Sequence, residues 1–591
     1  MARRYKHKQK TKKGVNFTAK DFLPTTREEM DAKGWDQCDV ILVSGDAYID
    51  SPFIGVSMVG RMLEKMGYRV GMIGQPDINS DVDIKRLGEP RLYWGVSGGS
   101  VDSMVSNYTA TKKFRNSDDY TPGGINNKRP DRAVLVYTNL IRRYFKNTVP
   151  IVLGGIEASL RRVTHYDYWQ NKLKKPILFD SKADILIYGM GEIALEELTH
   201  AIDDGRDYRD IRGICYISKE PKYEYIQLPS HQECVEHKES YIDLFNYFYD
   251  NNDPITANGL SQEVDGRYLI QNPPCDYLDE NEMDANSKLP FTRELHPYYA
   301  KDGKVKCLDT IKFSVMTHHG CWGECNFCAI AVHQGRTIRT RSEDNIVNEV
   351  KEFNKYNDYK GIVSDVGGPT ANMYGYECGK KLKKGTCDHM KCVDANRLCK
   401  TMHVDHSRNL NLLKRIREVD GVRHAFVASG IRYDLINADK NHGYDYLKEM
   451  VKHHISGQMK VAPEHTQQHI LELMGKPGKE ELVKFKKMFD RMNKEEGKNQ
   501  FLTYYLIAAH PGCKERDMHE LKRFTTQELK MNPEQAQVFI PTPGTYSAVM
   551  YYTEMDPKTK KRIFVEKDTK RKEKQKQIVV KKDCFKSGFA S

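Results

Sequence analysis

The chain has 591 residues, 39% hydrophobic and 29% charged, with a formal net charge of +12. That length predicts more than one domain, and no stretch approaches the ~20 consecutive apolar residues of a membrane-crossing helix, which excludes an integral helical membrane protein. The positive charge is terminal: residues 1–20 carry eight Lys/Arg and no acid, and residues 557–591 carry thirteen Lys/Arg against four Asp/Glu, leaving a net negative body.

Residues 1–20 and 551–591 therefore read as basic, flexible tails, with RNA binding through phosphate contacts as the alternative. No apolar run of signal-peptide type follows MARRYKHKQKTKKG. The expected compartment is the cytoplasm, with no membrane partner. In that reducing setting the 14 cysteines are expected as free thiols or metal ligands. Three fall within 321–328 and four within 378–399.

Residues 21–215 read as an α/β domain. The apolar run 38–44 precedes Gly45-Asp46, and helical spacing follows through Val56, Met58, Val59, Met62, Leu63 and Met66, with Gly67 as a stop. A second strand-like run, Tyr68 to Ile73, completes a βαβ unit. Runs at 133–137, 150–154 and 184–188 predict further strands of a doubly wound parallel sheet. Residues 216–300, rich in Tyr, Asn and Pro, read as an irregular connection.

Across 301–550 the alternation resumes. Strands are predicted at 311–317, 361–366, 422–429, 457–462, 501–508 and 536–540. Helices are predicted at 342–353, 407–418, 443–453, 478–493 and 514–529. Six such repeats resemble an incomplete version of the eight-fold barrel, whose reactive ends are the C-terminal edges of the strands.

Directly after the first of these strands comes His319-Gly-Cys321-Trp-Gly-Glu-Cys325-Asn-Phe-Cys328, a C-x3-C-x2-C spacing. Three thiolates on one tight loop can hold three irons of a cubane and leave the fourth open to substrate chemistry. The alternative is a zinc site completed by His318, His319 or His333, in a non-catalytic metal-binding adaptor.

This loop, with aromatic Phe327 before the last cysteine, resembles the signature of the radical S-adenosylmethionine (SAM) superfamily. The wider set Gly154-Gly-Ile-Glu-Ala-Ser-Leu-Arg-Arg162, His165-Tyr-Asp-Tyr-Trp169, Tyr188-Gly-Met-Gly-Glu192, Gln271-Asn-Pro-Pro274 and Met316-Thr-His-His-Gly-Cys-Trp322 is similar to the YgiQ-type family within it, over about residues 36–550. The resemblance implies a cobalamin-binding-like N-terminal parallel-sheet domain followed by a partial (β/α)6 radical SAM barrel. It implies a [4Fe–4S] cluster on Cys321, Cys325 and Cys328, with SAM on the open iron. It also implies reductive SAM cleavage to a 5′-deoxyadenosyl radical, an unassigned substrate, and a one-electron donor such as flavodoxin or ferredoxin.

Phe327, Gly367 and Gly368 of the turn Ser364-Asp-Val-Gly-Gly-Pro369, Ser429, Arg432 and Glu464 match positions that contact SAM in the superfamily. Arg432 or Glu464 would hold its carboxylate or ribose; the alternative for each is a surface ion pair at a strand end. Where cobalamin modules carry a ligating D-x-H motif, this chain reads Asp46-Ala-Tyr48. That leaves a histidine-ligated cobalamin doubtful, while cobalamin held without histidine, another ligand or plain packing stay open.

Cys378, Cys387, Cys392 and Cys399 stand in an insertion, 375–406, near His389, His403 and His406. They read as a second metal site or as buried structural thiols. Lys380, Lys381, Lys383, Lys384, Lys391 and Arg397 would help neutralise thiolates there.

Overall fold

The computed structural model describes residues 15–387 and 390–580, so the tail segments 1–14 and 581–591, with Asp388 and His389, lie outside the described residues. The first half is built on a nine-stranded sheet. Five strands pair in parallel, in the order Val70–Gly74, Val40–Ser44, Tyr93–Ser97, Ile151–Gly154 and Ile185–Ile187. Val40–Ser44 is buried at every position, as an apolar run covered on both faces must be. Helix Gly55–Lys65 covers one face with Met62 and Leu63, as its spacing predicts.

Two expectations are corrected here. The run 133–137 belongs to a helix, Ala133–Tyr144, that buries Val134, Tyr137, Thr138 and Ile141 at helical spacing; a short apolar run cannot be told from a buried helix by pattern alone. The missing strand is Tyr93–Ser97, whose run is broken by Gly95. The irregular connection of 216–300 in fact extends the sheet. Ile214–Ser218 pairs antiparallel with Ile185–Ile187 and with Arg267–Gln271, which pairs in turn with Leu260–Val264. Its polar strands were hidden because they serve one edge of a sheet whose partners are distant in sequence.

In the second half, Ser314–Met316 pairs in parallel with Asp365–Gly367, and Ile362–Val363 with His424–Ala425. Ile431 bridges Val461, Gln458–Glu464 pairs with Phe501–Ala508, and the latter pairs with Gln537–Val538. Strands adjacent in sequence are thus adjacent in space, with helices Glu343–Glu352, Ser407–Arg417, Gly443–Glu449, Lys479–Glu495 and Glu515–Gln527 between them. Their apolar faces meet in one core that includes Ile346, Leu412, Leu447, Phe485 and Leu521.

The two halves share interior. Val332, Phe539 and Tyr546 pack in the same cluster as Leu244 and Phe248 of the first half. No described helix is long and apolar enough to cross a membrane.

The region 551–591 is also corrected as far as it is described: it ends in helix Thr569–Val580, docked on the body. Val579 is fully buried. Gln575 accepts from the Ala509 N–H at 3.0 Å, and the Lys572 ammonium donates to the hydroxyls of Tyr168 at 3.2 Å and Tyr551 at 2.5 Å. Its lysine-rich composition masked the contacts because long basic side chains bury their stems. Val579→Ala is expected to cost about 2 kcal/mol of stability by cavity formation; an unchanged urea midpoint would show that this helix contributes nothing to the fold.

Candidate active site

The cysteine loop runs between the short strand His318–His319 and helix Ile330–His333. It enters through Gly320, whose φ of +83° and approach to the Thr337 carbonyl leave no room for a side chain. Main-chain bonds then pin it. Cys321 N–H donates to the Gly335 carbonyl at 3.1 Å, Asn326 N–H to Met474 at 2.8 Å, and Ser547 N–H to the Asn326 carbonyl at 2.9 Å. The Asn326 amide adds a bond to the Leu473 carbonyl at 2.9 Å.

Cys321 Sγ stands 3.6 Å from Thr370 Oγ1 and 3.8 Å from Met373 Sδ. Burial, and then the neighbouring Cys325, push the Cys321 thiol up and the Cys328 thiol up to about 12. Metal capture would therefore release protons.

Arg432 lies against this loop and is buried. Nε and Nη2 make a bidentate pair with Asp434 at 3.1 and 2.8 Å. Nη1 is buried without a hydrogen-bond partner and lies 2.8 Å from where a Cβ on Gly323 would stand. An unpaired buried donor of a charged group costs several kcal/mol unless an anion meets it, so the arrangement fits a carboxylate ligand.

Glu464, at the end of its strand, has a left-handed φ of +65°, a strained conformation of the kind stored at functional sites. Burial raises its pKa, and Lys476 at 3.7 Å opposes that rise. Both ion pairs are buried, unlike the surface pairs weighed from sequence.

The other expected residues have different duties. A Cβ on Gly368 would meet the His318 ring at 2.5 Å, and one on Gly367 would meet Ser429 Oγ at 2.5 Å. These glycines therefore answer to the protein's own packing. Ser429 donates its hydroxyl to Asp365 and braces the turn. Phe327 sits edge-on to His510, with ring centres 6.2 Å apart. His333 is bonded to Ser159 Oγ at 3.2 Å, and burial lowers His319 and His333 to about 4.

Sequence reasoning missed Thr370, Asp434 and Lys476. Thr370 directly follows the Gly-Gly-Pro turn and Asp434 lies two residues beyond Arg432, so proximity to motifs could have flagged them. Lys476 is brought in only by tertiary contact. Cys378, Cys387, Cys392 and Cys399 line one cavity beside Glu324 of the loop. Among the described residues no three His, Cys, Asp or Glu side chains already converge on one point.

A UPF0313 protein of Fusobacterium nucleatum is 58% identical over 95% of this chain and 99% of its own length. The chain belongs to the UPF0313 family of radical SAM proteins. UPF0313 relatives in Thermotoga maritima and Clostridium perfringens are 46% and 45% identical, over 95% and 94% of the chain and 98% and 84% of their own lengths. The Radical SAM N-terminal family model matches residues 22–314.

Among solved structures, this UPF0313 chain is similar to the radical SAM methyltransferase TsrM of Kitasatospora setae, with a TM-score of 0.47, 14% identity and coverage of 84% of this chain and 74% of that one. It is also similar to the cobalamin-dependent SAM radical enzyme OxsB, with a TM-score of 0.48, 12% identity and coverage of 90% and 58%.

Tyr48, at the place of a cobalt-ligating histidine, is buried; its hydroxyl accepts from the Leu23 N–H at 3.2 Å and its ring stacks on His296 at 5.5 Å. Asp46 is held by Arg129 at 2.8 Å and by the Ser100 N–H at 2.6 Å. These residues do not fit ligation of cobalt by the protein at this position.

Gly368→Ala is expected to destabilise the protein by about 1–3 kcal/mol, because the added methyl overpacks the His318 ring. An unshifted urea midpoint would mean that the ring swings aside freely.

Proposed function

We propose that the chain is a radical SAM enzyme in which Cys321, Cys325 and Cys328 hold a [4Fe–4S] cluster, within a partial (β/α)6 barrel formed by the six parallel strands. The observation that carries this reading is the unpartnered Arg432 Nη1 beside the three-thiol loop. A three-thiolate cubane keeps one iron open, and a buried guanidinium aimed at that region supplies the counter-charge for an amino-acid carboxylate.

When bound, cluster and SAM supply one-electron reductive cleavage of the sulfonium, releasing methionine and a 5′-deoxyadenosyl radical that takes a hydrogen atom from substrate. The chain's own part is binding and exclusion of water. Arg432 Nη1 would donate to the SAM carboxylate, with Asp434 fixing the guanidinium plane. Glu464, held by Lys476, would meet the polar part of the nucleotide. The buried, neutral His318 and the fully buried Trp322 back the loop against solvent. A one-electron donor such as flavodoxin or ferredoxin completes the requirement.

Anaerobic reconstitution with iron and sulfide, followed by strong reductant and SAM, is expected to yield 5′-deoxyadenosine, and Cys325→Ala should abolish it. Arg432→Met, with cluster absorbance retained, is expected to raise the KM for SAM about 10–100-fold, the loss of one charge-assisted hydrogen bond. A clusterless protein after reconstitution, or a cluster indifferent to SAM, would leave a metal-binding adaptor as the better description.

A further inference from the structure

We propose that Cys378, Cys387, Cys392 and Cys399 bind a single zinc ion, separate from the triad, that staples the 375–406 insertion onto the cysteine loop. The inference starts from an imbalance in packing. The insertion holds one six-residue helix, Gly379–Lys384, and one isolated bridge, Val393 to Leu398. Its side chains join a satellite core of only eight buried residues, among them Trp322, Tyr376, Cys378 and Met402. So little apolar burial does not order a segment of this length by itself, and small elements of this kind are closed by disulfides or metal. All four cysteines are free, which leaves metal.

The backbone presents the thiols in two pairs. Cys378 stands at the start of the short helix, and the helix ends at Gly385, where φ is +77° and a Cβ would strike Thr256 and Asp253, two residues before Cys387. Cys392 and Cys399 face each other across a hairpin closed by Asp394 N–H to the Arg397 carbonyl at 3.0 Å and Cys399 N–H to the Cys392 carbonyl at 2.8 Å. One thiol of each pair reaches Thr401, whose Oγ1 is 3.9 Å from Cys378 Sγ and 3.1 Å from Cys399 Sγ.

All four residues line one cavity of about 20 Å³, room for one water-sized or ion-sized occupant. The sulfurs line it without converging, so binding draws the hairpin inward, the coupling of metal capture to local folding that structural zinc sites display. Lys381, Lys391 and Arg336 border the same cavity with Glu324; Arg336 pairs with Glu324 and Lys381 with Glu377, which leaves Lys391 to offset part of the thiolate charge. His406 is no ligand: it is buried, bonded to Asp439 at 2.8 Å and to the Asn372 amide at 3.2 Å.

The staple has a consequence for the neighbouring loop. Lys391, from the insertion, donates to the Glu324 carbonyl at 2.6 Å and to the Asn326 side chain. Glu377 accepts from the Ile338 N–H at 2.6 Å and pairs with Lys381 at 3.1 Å. An ordered insertion therefore holds the loop between Cys321 and Cys328 in place, a point that rests on the function proposed above, whereas the zinc site does not.

The test begins with a Cys321→Ser/Cys325→Ser/Cys328→Ser protein, which removes the triad. Elemental analysis of this variant, expressed with zinc in the medium, is expected to find one zinc per chain and no labile sulfide. Adding Cys392→Ser and Cys399→Ser should remove the zinc, while Cys275→Ser, in the first half, should not. Cobalt(II) replacing zinc in the triad variant should give the tetrahedral cobalt–thiolate spectrum, a readout that does not depend on the five-fold variant folding. Substoichiometric zinc in the triad variant, iron with sulfide in its place, or no cobalt–thiolate absorption would each overturn the proposal. None of these measurements involves SAM, so failure here leaves the radical SAM reading standing, and the reverse holds as well.

Discussion

The site depends on one constraint: the eight residues from Cys321 to Cys328 must keep a fixed shape although they form no secondary structure of their own beyond turns. Backbone amides and carbonyls that leave the regular ladders must find partners elsewhere. Here they find them on Gly335, Met474 and Ser547, three points far apart in the chain. The loop is held as a strand would be, by main-chain bonds, with each bond going to a different element. Removing the shape of any of these neighbours would loosen the thiols before it touched them.

The rest of the architecture brings those neighbours together. The parallel strands of the second half set His318, Gly367, Ser429 and Glu464 at successive strand ends, and the side chains there lock one another: Asp365 holds Ser429, His318 fills the space against Gly368, and Asp434 orients Arg432. The first half then closes the assembly. Asn252 donates to the Val332 carbonyl at 3.1 Å, Ser159 meets His333, and Lys572 of the last helix reaches Tyr168. Because the two halves share a core, the cysteine loop sits within a single packed unit rather than at the edge of a hinge.

At the strand ends of the first sheet, buried charges are paired within the chain. Arg129 lies between Asp46 and Asp118 at 2.8 and 3.1 Å, and Arg161 pairs with Asp102 next to the buried Glu157. Charges this deeply buried persist only when paired. Arg129, Asp46 and Glu157 press close enough on the glycines at 45, 98 and 99 to leave them no room for a side chain.

The sequence by itself determined the local matters: the cysteine spacing, the alternating strands and helices of 311–540, and the βα cadence that begins at residue 38. These are set by the periodicity of burial, which is written residue by residue. It could not reveal that 133–137 coils into a helix, that the polar strands of 214–271 complete the first sheet, or that the lysine-rich helix 569–580 is docked. In each case the deciding contacts come from residues far along the chain. The same holds at the site: Arg432 and Glu464 were legible as strand-end residues, but the unpaired nitrogen beside the thiols and the Lys476 partner exist only once the strands are side by side. Burial and unmet hydrogen-bonding capacity are properties of the folded arrangement, and they give the motif its chemical meaning.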